Sequence, residues 1–592
     1  MLLFLARAFT VIGIIASMLL LAGILLAMHA RQRAPEEPEN VILTLDLDQP
    51  IVEQSEPSPL QLAIHEDTTP LLTILRAIDQ AKEDPHVKGL IATFGSTQPS
   101  LAHAQEIRAA LGRFRTTKKF TYAFAASYGS FGLGNRAYYT ASAFENIWLQ
   151  PVGSVSLTGL AIQSPFGKTA LQKLGVNADF MQREEYKSVM EMATRDDFSP
   201  PVKQMMQGML DDLSEQISGG IAESRGWNVD RVKRLMAAGP YTDTEAEQAG
   251  LVTRIGYADE LADEAKEKAG KDAQLVGAEE YLGFGGHGRS SKPKARIAVI
   301  YGDGLIVDKN TGPGDISGDK IMSADTVAQA FDDAAEDKNI KAILFRVDSP
   351  GGSPEASETI RRALVHAQKM GKPVVVSMGD VAASGGYWIA MNGDSIIADG
   401  GTLTGSIGVV SGKFVLSGLM QKLGVTIGTL KTTENAGMWS MTENFTPAQR
   451  ARVNALLDQT YHAFIKNVSD ARHIPMEKMP EIAKGRVWTG AQAVKLGLVD
   501  DLGGYDVALG ALRSKLKLAP TDLISMEVFP PPETAVEKVM KLLRNVGIEA
   551  SILRPMLGEI QFFNARLGPY IGDMQMKPVD ARMPNAALGL TR

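Results

Sequence analysis

Two stretches of this chain resemble each other. Asp84–Phe94 has the sequence DPHVKGLIATF, and Asp337–Val347 has the sequence DKNIKAILFRV. Further along, Gln172–Val176 (QKLGV) recurs unchanged as Gln421–Val425, with the separation falling only from 253 to 249 residues. A register kept over so much of the chain indicates an internal duplication with small loop deletions.

The duplication predicts the domain organisation. We expect a transmembrane anchor, a spacer, a first repeat, a linker, a second repeat and a C-terminal extension of undetermined role, at residues 1–30, 31–40, 41–282, 283–295, 296–519 and 520–592. The linker contains a G-x-G-x-x-G pattern, but Pro293 follows it closely and no helical pattern does, so a dinucleotide site is disfavoured.

Within a repeat, short β-branched runs alternate with amphipathic helical windows. Strands are expected at 297–301, 342–347 and 374–377, and helices at 356–368 and 448–468. Because these strands are continuously apolar, they are typical of parallel sheets buried on both faces. The predicted fold class is therefore α/β.

Composition excludes several classes of function. The chain has 592 residues, 44% of them hydrophobic, a net charge of −7 and no cysteine. Disulfide scaffolds, thiolate metal sites and cysteine nucleophiles are excluded, and the acidic balance disfavours nucleic acid as a partner.

The amino terminus resembles a membrane anchor. Ala8–Met28 contains no charged residue, and about 20 apolar residues suffice to cross a bilayer as a helix. A cleavable signal peptide is the alternative, but the apolar run is longer than usual and no clean cleavage site follows it. Flanking charges do not decide the orientation.

Three glycine-containing loops follow strands of the second repeat. They are Asp348–Ser353 (DSPGGS), Asp380–Trp388 (DVAASGGYW) and Gly400–Gly408 (GGTLTGSIG). A glycine pair between a strand and a helix lets backbone N–H groups approach a ligand, so the first loop is typical of an oxyanion hole.

These three motifs resemble those of the Ser/Lys signal peptide peptidase A family, also called protease IV, in its long, duplicated, membrane-anchored form. The resemblance implies two tandem repeats with a fold like those of crotonase and Clp protease, preceded by one transmembrane helix. It also implies that Ser406 is the nucleophile and that Lys187, in Tyr186-Lys187-Ser188, is the general base. By analogy with the related folds, the backbone N–H groups of Gly351 or Gly352 and of Ile407 would hold the oxyanion.

The repeat register supports the same pair independently. Leu160 stands opposite Ser406, and Ala436 stands opposite Lys187. Each repeat thus holds what the other lacks, and together they could form one site. Gly351-Gly352 corresponds to Gln98-Pro99, so only the second repeat keeps the glycine turn.

A lysine base must be uncharged, which requires lowering its pKa from about 10.4 towards 7–8 by burial. Lys431 is the alternative base, although it aligns with Gln182. The resemblance also implies a hydroxyl that orients the lysine. Thr432 and Thr433 are the candidates for it, and Ser384 is interpreted as structural.

Other functions are less well supported by the sequence. None of the eight histidines lies beside a motif, so a Ser-His-Asp triad and a metal site are disfavoured. An acyl-CoA enzyme of the crotonase type, or a non-catalytic membrane scaffold, would not need Ser406 together with Lys187. No cofactor is expected.

The resemblance further implies the biological setting. The expected substrates are signal peptides left in the membrane after cleavage. The protein would be anchored in the inner membrane with its catalytic part in the periplasm, as a homotetramer.

Overall fold

The structure is a computed structural model that describes residues 38–54, 68–129, 132, 134–284, 293–309 and 320–531. The anchor predicted at 8–28 lies outside these residues, as does the extension beyond residue 531. Within the described ranges, no helix is both long and apolar enough to cross a membrane.

The first half of the chain is built around a six-stranded, fully parallel sheet. Its spatial order is β10-β6-β5-β4-β1-β11. In chain order the strands of this half are β1 (Val41–Asp46), β2 (Ile51–Val52), β3 (Thr69–Pro70), β4 (Val87–Phe94), β5 (Phe120–Ala125), β6 (Asn146–Leu149), β7 (Ser154–Val155), β8 (Asn177–Gln182), β9 (Tyr241–Thr242), β10 (Arg254–Ile255) and β11 (Gln274–Gly277).

Helices cover this sheet and extend beyond it. They are α1 (Leu71–Glu83), α2 (Leu101–Arg115), α3 (Asn135–Ala141), α4 (Lys168–Leu174), α5 (Glu191–Thr194), α6 (Pro200–Arg225), α7 (Val229–Ala238), α8 (Asp243–Ala249), α9 (Ala258–Ala269) and α10 (Ala278–Gly283).

The second half contains an eight-stranded sheet. Its main path is β20-β18-β16-β15-β12-β22. A side branch leaves β16, where β17 pairs with β16 and β21 pairs with β17. Only the β18–β20 pair is antiparallel. The strands of this half are β12 (Ala295–Asp303), β13 (Leu305–Val307), β14 (Ile321–Ser323), β15 (Ile340–Ser349), β16 (Val374–Ala383), β17 (Ser395–Ala398), β18 (Leu403–Gly405), β19 (Val410–Val415), β20 (Val487–Thr489), β21 (Asp501–Leu502) and β22 (Ile524–Phe529).

The helices of this half repeat the pattern of the first. They are α11 (Ala324–Glu336), α12 (Pro354–Lys369), α13 (Gly385–Ala390), α14 (Ser417–Lys422), α15 (Pro447–Arg472), α16 (Met479–Ile482), α17 (Gly490–Lys495) and α18 (Tyr505–Lys515), with a 3₁₀ turn at Met476–Lys478. The predicted strands at 297–301, 342–347 and 374–377 and the predicted helices at 356–368 and 448–468 are all present, and the α/β prediction is confirmed.

One strand lies beyond the predicted end of the second repeat at Ala519. β22 pairs in parallel with β12 at the edge of the second sheet, as β11 pairs with β1 in the first. Residues 524–529 therefore complete the second repeat, although the sequence analysis assigned them to the extension.

The two halves are joined by a backbone ladder. β8 of the first half and β19 of the second are antiparallel partners, from Asn177 opposite Val415 to Gln182 opposite Val410. This pairing carries the segment after β8, which contains Lys187, towards the second sheet.

A buried ionic cluster also bridges the halves. The Arg346 guanidinium, on β15, is fully buried and donates hydrogen bonds to both carboxylate oxygens of Glu53, at 2.9 and 2.7 Å, and to Glu106 Oε1 at 2.7 Å. His103 Nε2 lies 2.9 Å from Glu53 Oε1. Burial alone would lower the pKa of His103, but the hydrogen bond to Glu53 raises it to about 9.

We expect Arg346→Met to lower the free energy of unfolding by about 3–5 kcal/mol, because it removes the cation that the buried carboxylates of Glu53 and Glu106 share. Urea unfolding at pH 7 measures the loss. Arg254→Met is the matched control, since Arg254 pairs with Glu264 at the surface and such pairs contribute less than about 1 kcal/mol. Equal losses in the two variants would show that the cluster does not hold the halves together.

Candidate active site

The three glycine-containing loops meet at the carboxyl edge of the second sheet. β15 runs into Ser349-Pro350-Gly351-Gly352, β16 into Ser384 and β18 into Ser406. Because β16 lies between β15 and β18 in parallel register, the ends of all three strands are neighbours.

Both serines have unusual backbone conformations. Ser384 has φ of 55° and ψ of −119°, and Ser406 has φ of 48°. The two are tied together, since the Ser384 N–H donates to the carbonyl oxygen of Gly405 at 2.9 Å. Non-glycine residues adopt such conformations only where surrounding contacts enforce them, often at functional sites.

The Lys187 amine contacts both hydroxyls. Its Nζ lies 2.8 Å from Ser384 Oγ, 3.0 Å from Ser406 Oγ and 2.9 Å from the carbonyl oxygen of Ser406. Lys187 comes from the first half and both serines come from the second. The structure therefore brings together the predicted pair, Lys187 and Ser406, and adds Ser384.

Two glycines make room for the lysine. A Cβ added to Gly485 would lie 2.5 Å from the backbone nitrogen of Lys187, and one added to Gly408 would lie 3.3 Å from its Cδ. The Gly485 N–H also donates to the Ile407 carbonyl, next to Ser406. The lysine stem is thus packed against glycine backbone of the second half.

Burial changes the titration of this lysine. Only 6% of Lys187 is exposed, and this burial lowers the pKa of its ammonium to about 7. Among the described residues it has no carboxylate partner, because the side-chain hydrogen bonds seen for it are to uncharged oxygens. Near neutral pH such an amine can accept a proton.

The glycine turn lies against Ser384. A Cβ added to Gly351 would lie 2.9 Å from Ser384 Cβ, and one added to Gly385 would lie 3.1 Å from the Gly352 nitrogen. The Gly351 N–H, one of the predicted oxyanion donors, donates to Ser349 Oγ at 3.2 Å in this structure. The N–H groups of Gly352 and Gly385 form no hydrogen bond with a described residue.

Other predicted residues are absent from the cluster. The Lys431 amine pairs with Glu443 at the surface, while Thr432 and Thr433 are exposed and do not bond to Lys187. Neither Ser384 nor Ser406 forms a hydrogen bond with a described histidine. Within the described ranges, no group of histidines and carboxylates is arranged to bind a metal ion.

Ser384, which was interpreted as structural from the sequence, lies in the cluster with Lys187 and Ser406. A sequence signal for this position exists, because Ser384 directly precedes a helix that begins with Gly385-Gly386 and whose first N–H groups have no partner within the helix. The duplication also gives Ser384 a counterpart in the first half. The Tyr138 hydroxyl donates to the Leu251 carbonyl, and the Tyr387 hydroxyl donates to the Leu498 carbonyl in the same way. With the two tyrosines aligned, Ser384 stands opposite Asn135.

Comparison with known proteins supports a proteolytic role. The family model "Peptidase family S49" matches residues 115–272 and again residues 366–519. "Protease 4" of Salmonella typhi is 34% identical over 464 residues, covering 76% of this chain and 72% of that protein.

Two further relatives agree. "Serine protease SPPA, chloroplastic" of Arabidopsis thaliana is 29% identical, over 80% of this chain and 69% of that protein. "Putative signal peptide peptidase SppA" of Enterococcus faecium is 32% identical, over 40% of this chain and 67% of that protein. The duplicated match and the cover of the long relatives show that this chain belongs to peptidase family S49 and is a serine protease.

Proposed function

We propose that this serine protease is a membrane-anchored endopeptidase that degrades cleaved signal peptides, with Ser384 as nucleophile and Lys187 as general base. The observation that carries the proposal is the 2.8 Å separation of Lys187 Nζ and Ser384 Oγ, with the amine out of water. The role that the sequence analysis gave to Ser406 passes to Ser384, and Ser406 holds the amine.

The valence of a neutral amine supports this division of roles. A neutral lysine has two N–H donors and one lone pair. Ser406 offers two acceptors, its carbonyl oxygen and its Oγ, at 2.9 and 3.0 Å. With both N–H groups directed to Ser406, the lone pair is left for the hydroxyl proton of Ser384.

The oxyanion donors also favour Ser384. The N–H groups of Gly352 and Gly385, which bond to no described residue, lie close to each other beside Ser384, and Gly385 begins a helix whose amino end is positive. Removing one such donor typically costs about 10²–10³-fold in kcat.

The reaction then follows from these contacts. Ser384 Oγ attacks the peptide carbonyl while Lys187 takes its proton, and the carbonyl oxygen becomes an oxyanion held by Gly352 and Gly385. The ammonium returns the proton to the leaving amine, which departs and leaves an acyl-enzyme on Ser384. Lys187 then activates water, which releases the acid product and restores the hydroxyl.

An apolar cavity near the site fits an apolar peptide. It encloses about 320 Å³ between the two halves, and Leu160, Leu213, Val381 and Leu403 are among its lining residues. Val381 and Leu403 face each other on the strands that lead to Ser384 and Ser406. Signal peptides are rich in apolar residues, and the name of the Enterococcus relative refers to that substrate.

The anchor and assembly are part of the same proposal. Ala8–Met28 is uncharged and long enough to span a bilayer, which would place the enzyme beside its substrate, with the catalytic part periplasmic. Exposed apolar side chains on the segment after α14 support burial against further copies in a homotetramer; they include Leu423, Leu430 and Trp439.

Ser384→Ala should reduce peptide hydrolysis by at least about 10³-fold, because it removes the attacking oxygen. Ser406→Ala should reduce kcat by about 10–100-fold, because the amine loses one of its contacts. A fluorophosphonate should label the tryptic peptide that contains Ser384, as read by mass spectrometry. Labelling of Ser406, with activity retained in Ser384→Ala, would restore the original assignment.

Replacing Lys187 by Met should change how stability depends on pH. The folded pKa of about 7 lies below the unfolded value of 10.5, so burying the ammonium destabilises the parent fully below pH 7 and progressively less up to pH 10.5. The free energy of unfolding of the parent should therefore gain about 4 kcal/mol relative to Lys187→Met between pH 6 and pH 10.

Urea unfolding of both proteins at the two pH values measures this change. Lys431→Met is the control, because that lysine is in a surface ion pair and its difference from the parent should stay within about 1 kcal/mol. A constant difference for Lys187→Met would mean that the amine is solvated in the native protein.

Deleting residues 1–40 should release an active enzyme from membranes, since the sequence predicts no core residues in the spacer at 31–40. Membrane fractionation of both forms, with light scattering of the released one, tests the anchor and the assembly together. We expect four chains per particle and an unchanged kcat. Release of the full-length protein in the absence of detergent would contradict the anchor.

A further inference from the structure

β16, the strand that leads to Ser384, has an irregularity next to the glycine turn. β15 and β16 pair regularly up to Val347 opposite Met378, and their next pair is Ser349 opposite Ala382. One intervening residue on β15 thus faces three on β16, Gly379 to Val381. Such bulges redirect the following residues and are frequent beside active sites.

Side chains replace the hydrogen bonds that the ladder loses there. The Asp348 carboxylate accepts the Val381 N–H at 2.9 Å. On the other side of the strand, Thr402 Oγ1 donates to the Gly379 carbonyl at 2.7 Å. The first and last of these three residues of β16, Gly379 and Val381, are therefore held by contacts from the two flanking segments.

Asp348 connects the two catalytic loops. It directly precedes Ser349-Pro350-Gly351-Gly352, and its carboxylate holds the residue three positions before Ser384. Its own carbonyl oxygen accepts the Gly304 N–H at 2.9 Å, which fixes its backbone. A change at this carboxylate would move the glycine turn relative to Ser384.

The first half of the chain provides an internal comparison. In the register of the duplication Asp348 corresponds to Gly95, and the pairing of β4 with β5 ends at Phe94, which corresponds to Val347, the residue after which the bulge begins. This half also has Asn135 where the second half has Ser384. The half without the proposed nucleophile thus has glycine in place of this carboxylate.

We propose that Asp348 is a positioning residue, whose carboxylate sets Ser384 against the oxyanion N–H of Gly352 by holding the bulge of β16. This inference rests on the proposed role of Ser384. It assigns to Asp348 no contact with substrate, only the alignment of two groups that touch the reacting carbonyl.

The surroundings of Asp348 indicate that the fold alone does not favour a carboxylate here. Asp380 on β16, Glu53 after β2 and Asp303 on β12 are the acidic groups that face it, and Asp380 Oδ1 is buried without a hydrogen-bond partner. Burial and these charges raise the pKa of Asp348 to about 7. An amide at this position would keep the acceptor and remove the repulsion.

The test compares two substitutions at one position. Asp348→Ala should lower kcat about 30–100-fold with KM within threefold. The pH midpoint of its rising limb should match that of the parent, because Lys187 stays buried. Asp348→Asn should restore kcat to within about threefold, since its amide oxygen can accept the Val381 N–H.

Asp394→Ala is the matched control. Its carboxylate accepts the Val374 N–H at 2.7 Å, at the opposite end of the same strand, so its loss should leave kcat within twofold. If Asp348→Ala does not fold, Thr402→Val tests the bulge from the other side, with an expected fall of about fivefold.

Three outcomes would overturn the inference: kcat within threefold for Asp348→Ala, no rescue by Asn, or a shifted pH midpoint. Unchanged activity in Thr402→Val would also overturn the inference. Ser384→Ala separates this failure from that of the proposed function, because activity in Ser384→Ala refutes the nucleophile whatever Asp348 does.

Discussion

Removing one lysine amine from water is the constraint on which the rest of the site depends. An ammonium is among the most costly groups to bury, and Lys187 is buried with no carboxylate from the described part of the chain bonded to it. Neither half of the chain encloses it alone: the first half supplies the lysine, and Gly408 and Gly485 of the second half form the wall along its stem. The interface between the repeats is therefore what sets the basicity of the amine.

Other interactions between the two halves offset the free-energy cost of burying the Lys187 amine. The antiparallel pairing of β8 with β19 and the Arg346 cluster connect the same two halves. One is a backbone ladder and the other a set of matched buried charges, so both resist sliding of one half over the other. A shift of even one residue in the ladder would remove the amine from both hydroxyls, since a strand advances about 3.3 Å per residue.

Much of this architecture could be predicted from sequence, because duplication leaves a register that is independent of secondary-structure propensity. The α/β layers followed from the alternation of β-branched runs with amphipathic windows, and Lys187 followed from the family resemblance, with the register as independent support. The register could not decide which serine is the nucleophile. The first half has Leu160 opposite Ser406 and Asn135 opposite Ser384, so it lacks a serine at both positions. What separates the serines is which one adjoins the free N–H groups of Gly352 and Gly385, and sequence spacing does not encode that distance.

The edge strand β22 was missed for a different reason. Its pairing with β12 joins residues that are far apart in the chain, and a short strand at a sheet edge has a weak pattern of its own. Only its counterpart β11 in the first half suggests it, through a separation of 250 residues between Gln274 and Ile524.

The meeting of Lys187 with both serines inside one chain has a genetic consequence. A cell that makes two defective copies, one altered at Lys187 and one at Ser384, should gain nothing from having both, because each particle would contain only half-sites. In an assembly whose active site combines Lys187 from one subunit with Ser384 from another, a mixture of the two defective copies would contain some intact sites. Defects in the two halves of this chain should therefore behave as alleles of a single unit, in spite of its duplicated origin.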